Sequence, residues 1–190
     1  LGINKAEERA DIILSATHRL ARLFNQWIES DQLQRPISAL QLATVTISSL
    51  IQPTLTVARG MYRSHTIRCD ILPDVILQVD PALIEIALLN LLDNACKYTS
   101  PTAPIDLNFE MQKDMIGITV TDRGPGLPTS KLASILQPYV RATQRQDSSG
   151  YGLGLAFVAY IVDLHHGRIS LGNREDGGAQ FTLWLPLRSE

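Results

Sequence analysis

Asn90-Leu-Leu-Asp-Asn94-Ala-Cys-Lys97-Tyr98-Thr99 is the stretch from which the rest of the chain can be read. It closes a helix whose start is written at Asp80-Pro81, an N-cap acid followed by proline at the first helical position. At about 100° per residue, Ile84, Leu88, Leu91 and Ala95 fall on one apolar stripe. Asn90, Asn94 and Lys97 fall on the neighbouring stripe, with Tyr98 beside them. Carboxamide oxygens suit a hard cation such as Mg²⁺, which keeps waters and takes phosphate oxygens as further ligands. Two carboxamides, an ammonium and a phenol on one face can therefore hold a metal–phosphate group. Taken alone, a solvated polar face explains them better.

Two more clusters lie downstream. Asp122-Arg123-Gly124-Pro125-Gly126 follows a strand of alternating apolar residues. Glycines let a backbone approach a ligand, and a carboxylate can accept a hydrogen bond from an amino group such as that of adenine. An Asp-led surface turn is the plainer alternative. Gly150-Tyr151-Gly152-Leu153-Gly154-Leu155 then opens an apolar helix. A glycine-rich turn into a helix N-terminus offers free N–H groups to an anion, with the helix dipole helping. The spacing is not that of a dinucleotide fingerprint, and no Gly-Lys pair exists to make a P-loop. A flexible loop before a packing helix is the rival here.

The surrounding pattern predicts a helical arm followed by an α+β domain with helices on one face of a mixed sheet. Residues 5–29 form an amphipathic helix, with Ile13, Thr17, Leu20, Phe24 and Trp27 at spacings of three and four. Such a stripe needs a partner helix or a second chain. A helix is expected from about residue 38 to 58, interrupted or kinked at Pro53. Strands follow at 66–72 and 75–79 with a Pro73-Asp74 turn between them, then the helix ending at Tyr98. A hairpin pairs 105–111 with 115–121, and a short helix begins at Lys131. Residues 153–165 are helical, and strands at 168–171 and 180–186 close the chain.

Composition removes several classes of function. With 17 Lys+Arg against 19 Asp+Glu the net charge is −2, which argues against broad electrostatic binding to nucleic acid or an anionic membrane surface. Hydrophobic residues at 45% exclude disorder as the main state. The longest apolar run, 155–162, is far short of a membrane span. Cys69 and Cys96 form no CxxC pair, which fits a reducing, cytoplasmic compartment. No Met and no signal peptide open the chain, so it reads as part of something longer.

Together and in order, the three clusters resemble the boxes of sensor histidine kinases. Asn90 to Thr99 resembles their N box, Asp122-x-Gly124-x-Gly126 the first glycine box, and Gly152-Leu-Gly154-Leu the second. Gln137-Pro138-Tyr139 stands where the family has its aromatic F box. The tail from His166-Gly167-Arg168-Ile169 to Phe181-Thr182-Leu183 is similar to the last hairpin of the catalytic domain. The likeness covers about residues 37–188, and Thr17 to Leu23 looks like the second helix of the dimerisation hairpin.

The resemblance implies a Bergerat-type fold, a two-layer α/β sandwich with a mixed sheet preceded by an N-terminal helix. Residues 1–34 would be part of the dimerisation hairpin and 35–190 the catalytic ATP-binding domain. Asn94 would bind Mg²⁺ with help from Asn90, and Lys97 would meet phosphate. Tyr98 would lie near the adenine or ribose, and Asp122 would accept the adenine amino hydrogen. Gly124 and Gly126 would make room for the base, with Leu127, Leu153 and Leu155 among the ATP-binding residues. Gly150, Gly152 and Gly154 would let a lid, residues 141–149, fold over the phosphates, with Arg141 or Arg145 touching them. The implied activity moves the γ-phosphate of ATP to a histidine and then to an aspartate of a response regulator receiver domain. A homodimer through the N-terminal helix is implied, with no nucleic acid and no membrane contact by this stretch. The parent would be cytoplasmic or anchored in the inner membrane.

Departures from the family sharpen these expectations. Sister families such as DNA gyrase, heat-shock chaperone ATPases and mismatch-repair ATPases place a hydrolytic Glu four residues before the metal-binding Asn. Asn90 stands there instead, and an amide cannot take a proton from water. Phosphoryl transfer to a protein side chain is therefore favoured over hydrolysis. Tyr139 replaces the usual Phe of the F box. His165-His166 reads as a surface pair at a helix end. No histidine is followed by Glu or Asp, so the phosphoacceptor is expected elsewhere and this stretch is expected to bind ATP without phosphorylating itself. The rival from another class is a nucleotide-binding pseudo-kinase or signalling scaffold.

Overall fold

Met115–Thr121 alternates its side chains across the middle of the molecule, and the rest of the fold is laid against it. In the computed structural model, which describes residues 40–138, 140 and 153–187, this strand is β5. The elements in order are β1 (Ala43–Thr46), α1 (Ile47–Met61), β2 (Ile67–Cys69), β3 (Ile76–Val79) and α2 (Pro81–Tyr98). Then come β4 (Ile105–Gln112), β5, a 3₁₀ turn (Thr129–Lys131), α3 (Gly154–Leu164), β6 (Arg168–Asn173) and β7 (Ala179–Pro186). Five strands make one sheet in the order β2-β4-β5-β7-β6. The β2–β4 pair is parallel and the others antiparallel, so the sheet is mixed.

Register puts the apolar residues of neighbouring strands on one face. Leu107 is opposite Val120, Ile118 opposite Leu183, and Ile116 opposite Leu185. All six are buried. The helices α2 and α3 pack on the sheet and on each other, and α1 packs on α2. From α2, the stripe of Ile84, Leu88, Leu91 and Ala95 is buried as its spacing predicts. The result is the expected α+β two-layer sandwich with a mixed sheet. On the other sheet face the Trp184 ring lies over Gly117, where a Cβ would meet it at 2.9 Å. Among the described residues no helix is long and apolar enough to cross a membrane.

Three expectations are corrected. The helix predicted from about residue 38 begins at Ile47, because Ala43-Thr-Val-Thr46 forms a strand against β3 instead. β-branched residues favour that strand, and Thr46 then caps the helix by accepting from the Ser49 N–H at 3.2 Å. Pro53 sits inside α1 on its exposed side and does not end it. The strands predicted on either side of Pro73-Asp74 do not form a hairpin: β2 joins the large sheet, and β3 pairs with β1. The helix expected from Lys131 is only a 3₁₀ turn that ends there.

The histidine pair is not a surface pair either. His166 is exposed, in a left-handed conformation at φ 54°, but His165 is only 4% exposed. The N-terminal helix and its dimerisation stripe, Tyr139, the lid and Gly150 to Gly152 lie outside the described residues.

Candidate functional site

Helix α2 brings the first cluster to the surface of the sandwich. Asp80 caps it, its carboxylate accepting from the Leu83 N–H at 3.4 Å. The Asn90 side chain then turns back along the helix and donates its Nδ2 to the Ile86 carbonyl at 2.9 Å. That bond leaves Oδ1 as the outward atom, 3.1 Å from where a Cβ on Gly154 would stand. A side chain at Gly154 would crowd that oxygen by a few tenths of an ångström. Asn94, one turn on, is half-buried, and its carboxamide makes no hydrogen bond among the described residues.

Lys97 is not pointing freely outward. Its ammonium pairs with Asp93, four residues back, and the hydroxyl of Tyr62 donates to the other oxygen of the same carboxylate. Burial, and then the Asp93 charge, push the Tyr62 phenol well above its usual range, so it stays protonated and donates. Burial also raises the Cys96 thiol to about 11, which makes it a poor nucleophile at neutral pH.

The second cluster is rigid. Asp122 is buried at 6% exposure, and its Oδ1 accepts from the Gly124 N–H at 2.8 Å and the Ala179 N–H at 3.0 Å. Its own N–H donates to the Ala179 carbonyl at 2.9 Å. One carboxylate oxygen is thus spent on the backbone, and the other remains as an acceptor. Arg123 turns away to pair with Asp106 at 2.6 Å and to donate to the Pro104 carbonyl at 2.5 Å. Gly124 presses on the Tyr98 carbonyl, 2.6 Å from a Cβ position, which ties the first glycine box to the end of α2. Gly126 has φ 74°, a conformation that side chains rarely take. Beside it Leu127 is clamped at both ends by Asn173, whose Oδ1 accepts from its N–H at 2.6 Å and whose Nδ2 donates to its carbonyl at 2.8 Å. Tyr98, whose carbonyl Gly124 meets, is 38% exposed.

The third cluster is described from Leu153 onward. No side chain caps α3 at Leu153, and no acidic residue stands in its first turn. The first amides of α3 therefore carry the partial positive end of the helix toward Asn90, a setting for an anion. Leu153 and Leu155 are half-buried beside Gly154.

Among the described residues, Gly124 of the second cluster meets the Tyr98 carbonyl at the end of α2, and Gly154 of the third meets Asn90 in its middle. The model of the histidine kinase-, DNA gyrase B- and HSP90-like ATPase family matches residues 79–189, more than half the chain. The chain belongs to that family. Within it, this is a histidine kinase-type ATP-binding catalytic domain. The sensor protein KdpD of Escherichia coli is 38% identical over 117 residues, which are 62% of this chain and 13% of KdpD. The mycobacterial sensor histidine kinase MprB superposes with a TM-score of 0.71 at 23% identity, covering 78% of this chain and all of that structure. Full-length ShkA in complex with AMPPNP gives a TM-score of 0.68 at 25% identity, over 97% of this chain and 40% of ShkA. The chain spans between 13% and 39% of the length of the curated relatives it matches.

Sequence reasoning missed three residues that the structure sets against the candidate site residues. Asp93 was inside the quoted stretch, and its spacing of four from Lys97 is the signal of a helical ion pair. Tyr62 and Asn173 lie 31 residues before Asp93 and 46 residues after Leu127, and only the fold brings them in.

Proposed function

We propose that this domain binds Mg²⁺·ATP across α2, the 122–127 loop and the start of α3, and presents the γ-phosphate for transfer to a histidine. The single observation that carries the reading is the Asn90 oxygen beside the N-terminus of α3 at Gly154, which no side chain caps among the described residues. A hard-cation ligand and an anion-binding helix end share one spot there, as a metal–polyphosphate needs.

Asn94 and Asn90 would hold Mg²⁺. Their donor set fits, because the Asn90 amide nitrogen is committed to Ile86, which leaves an oxygen outward, and the Asn94 carboxamide has no partner among the described residues. The ion, when bound, neutralises charge on the phosphate oxygens. Lys97 would leave Asp93 to meet phosphate, a cheap exchange since exposed ion pairs contribute little. Asp122, with one oxygen fixed by the backbone, would accept the adenine amino hydrogen with the other. Gly124 and Gly126 make room for the base, Leu127, Leu153 and Leu155 flank the nucleotide, and Tyr98 lies near the adenine or ribose. Gly150 and Gly152 would serve the lid. The ShkA complex with AMPPNP supports an adenine nucleotide as ligand.

Asn90 in place of a carboxylate favours phosphoryl transfer over hydrolysis. None of the chain's four histidines is followed by Glu or Asp, so the acceptor is proposed to lie elsewhere in the parent protein. From there the phosphate passes to a response regulator, and the parent works as a dimer through residues 1–34. The scaffold alternative is not favoured, because Asn90, Asn94, Asp122 and Gly154 are all retained. Calorimetric titration of Mg²⁺·ATP should show micromolar to sub-millimolar binding that weakens without Mg²⁺ and is lost in Asp122→Asn. A folded protein that binds no nucleotide would overturn the proposal.

A further inference from the structure

The two helices that carry the site are joined a second time, at their far ends. Helix α3 begins at Gly154 against Asn90, in the middle of α2, and ends beside Asp80, at the start of α2. There the Asp80 backbone N–H donates to Nε2 of His165 at 2.9 Å. The other ring nitrogen, Nδ1, donates to the Ile161 carbonyl at 2.7 Å. This pair of bonds requires neutral imidazole with its proton on Nδ1, since only then is Nε2 an acceptor. Asp80 is itself fully buried, and its carboxylate takes the Gln41 N–H at 3.0 Å as well as the Leu83 N–H. One buried junction thus ties three places in the backbone: Gln41, the start of the Asn90/Asn94 helix, and the end of the helix that opens at Gly154.

We infer that His165 is a positioning residue for the nucleotide site: neutral, it fixes the register of α3 on α2, and protonated, it releases it. The inference rests on the nucleotide reading above. A proton on Nε2 sets a donor against the Asp80 N–H donor, and the bond is lost. Burial disfavours the charged ring, the hydrogen bond to the Ile161 carbonyl and the buried Asp80 carboxylate favour it, and the neighbouring His166 disfavours it. Burial prevails, and the ring stays neutral below the ordinary histidine range. When the junction opens, α3 is free to shift along α2. The Asn90–Gly154 approach, about 16 Å away along eleven residues of α3, shifts with it. Nucleotide binding then releases a proton, and affinity falls with pH.

The test is an NMR titration of the whole chain without nucleotide, from about pH 7.5 to about pH 4.5, around the ordinary histidine value. The Asp80 and Gly154 amides are expected to shift with the same midpoint as the His165 ring. A Gly154 amide that stays still while His165 titrates would overturn the inference, and so would global unfolding before the ring takes its proton. A second arm measures ATP affinity over the same range for wild type and for His165→Gln, which cannot titrate there. The γ-phosphate also takes up a proton in this range, so the quantity read is the ratio of the two slopes. Wild-type affinity is expected to fall at least roughly threefold further than that of the variant. Equal slopes contradict the inference. Absence of ATP binding at neutral pH would remove the functional proposal, and the first arm would still decide the junction.

Discussion

The two ends of the site are built on different principles. At the end that includes Asp122, nearly every polar group is engaged with backbone: Asp122 holds two N–H groups, and Asn173 holds both sides of Leu127. At the end that includes Asn90, one carboxamide has no partner among the described residues, one shows its oxygen, and the lysine rests in an exposed ion pair. The first end is set before any ligand arrives, and its residues serve fold and site at once. The second keeps polar groups uncommitted among the described residues, so the ligand role proposed for them would carry little debt to the fold. Substitutions at the two ends should therefore separate stability from binding.

The largest effect is expected for Asp122→Ala. It strands the Gly124 and Ala179 N–H groups, one of them buried, and should cost about 2–4 kcal/mol of stability together with all nucleotide binding. Thermal melting and calorimetry check both parts. Asp122→Asn keeps an oxygen for those two donors and should melt close to wild type, so this pair separates the structural oxygen from the ligand oxygen.

Asn94→Ala should do the opposite of Asp122→Ala. With no hydrogen bond to lose, its melting temperature should reflect a change within about 0.5 kcal/mol. Mg²⁺-dependent ATP affinity should drop roughly tenfold or more, as expected for a lost metal ligand or charged hydrogen bond. Equal losses of stability and affinity would break the contrast between the two ends.

Gly154→Ala should be smaller and split in sign. Alanine suits a helix start better than glycine and should hold or raise stability by up to about 1 kcal/mol. Its Cβ would stand 3.1 Å from the Asn90 oxygen and should weaken nucleotide binding several-fold. Melting and titration of one variant report both.

The smallest effect is a pH dependence of stability. Burial lowers the folded pKa of His165 below the ordinary 6.5, so the unfolded chain takes its proton first as pH falls. The stabilisation from neutral His165 is fully present above about pH 6.5 and is lost as pH drops from there toward the lower folded value. Denaturant melts across that window should show wild type losing more stability than His165→Gln.

Much of this was legible in the sequence because it is local. The cap and stripe of α2, the hairpin of β4 and β5, and the glycine boxes are each written within a few residues. What was not legible depends on pairing across the chain. Ala43-Thr-Val-Thr46 becomes a strand only because β3, some thirty residues later, lies beside it. The strands flanking Pro73-Asp74 look like a hairpin, yet one finds its partner at Ile105–Leu107. His165 looks like a helix-end surface residue until its ring is seen to accept from Asp80, 85 residues away. At the candidate site the same rule holds: Asp122 is proposed from its motif, whereas Asn173, which bonds both ends of Leu127 in the loop after it, carries no local signal.

The most direct measurement compares ATP with inosine triphosphate, which carries a keto oxygen in place of the adenine amino group, on wild type and on Asp122→Asn. If the uncommitted oxygen of Asp122 reads the amino group, wild type should prefer ATP at least tenfold, a difference of about 1.4 kcal/mol. Asp122→Asn, folded as well as wild type, should lose or reverse that preference, because its amide can donate to the keto oxygen. An Asp122→Asn protein that still prefers ATP as strongly as wild type would contradict the assignment of the base to this end of the site.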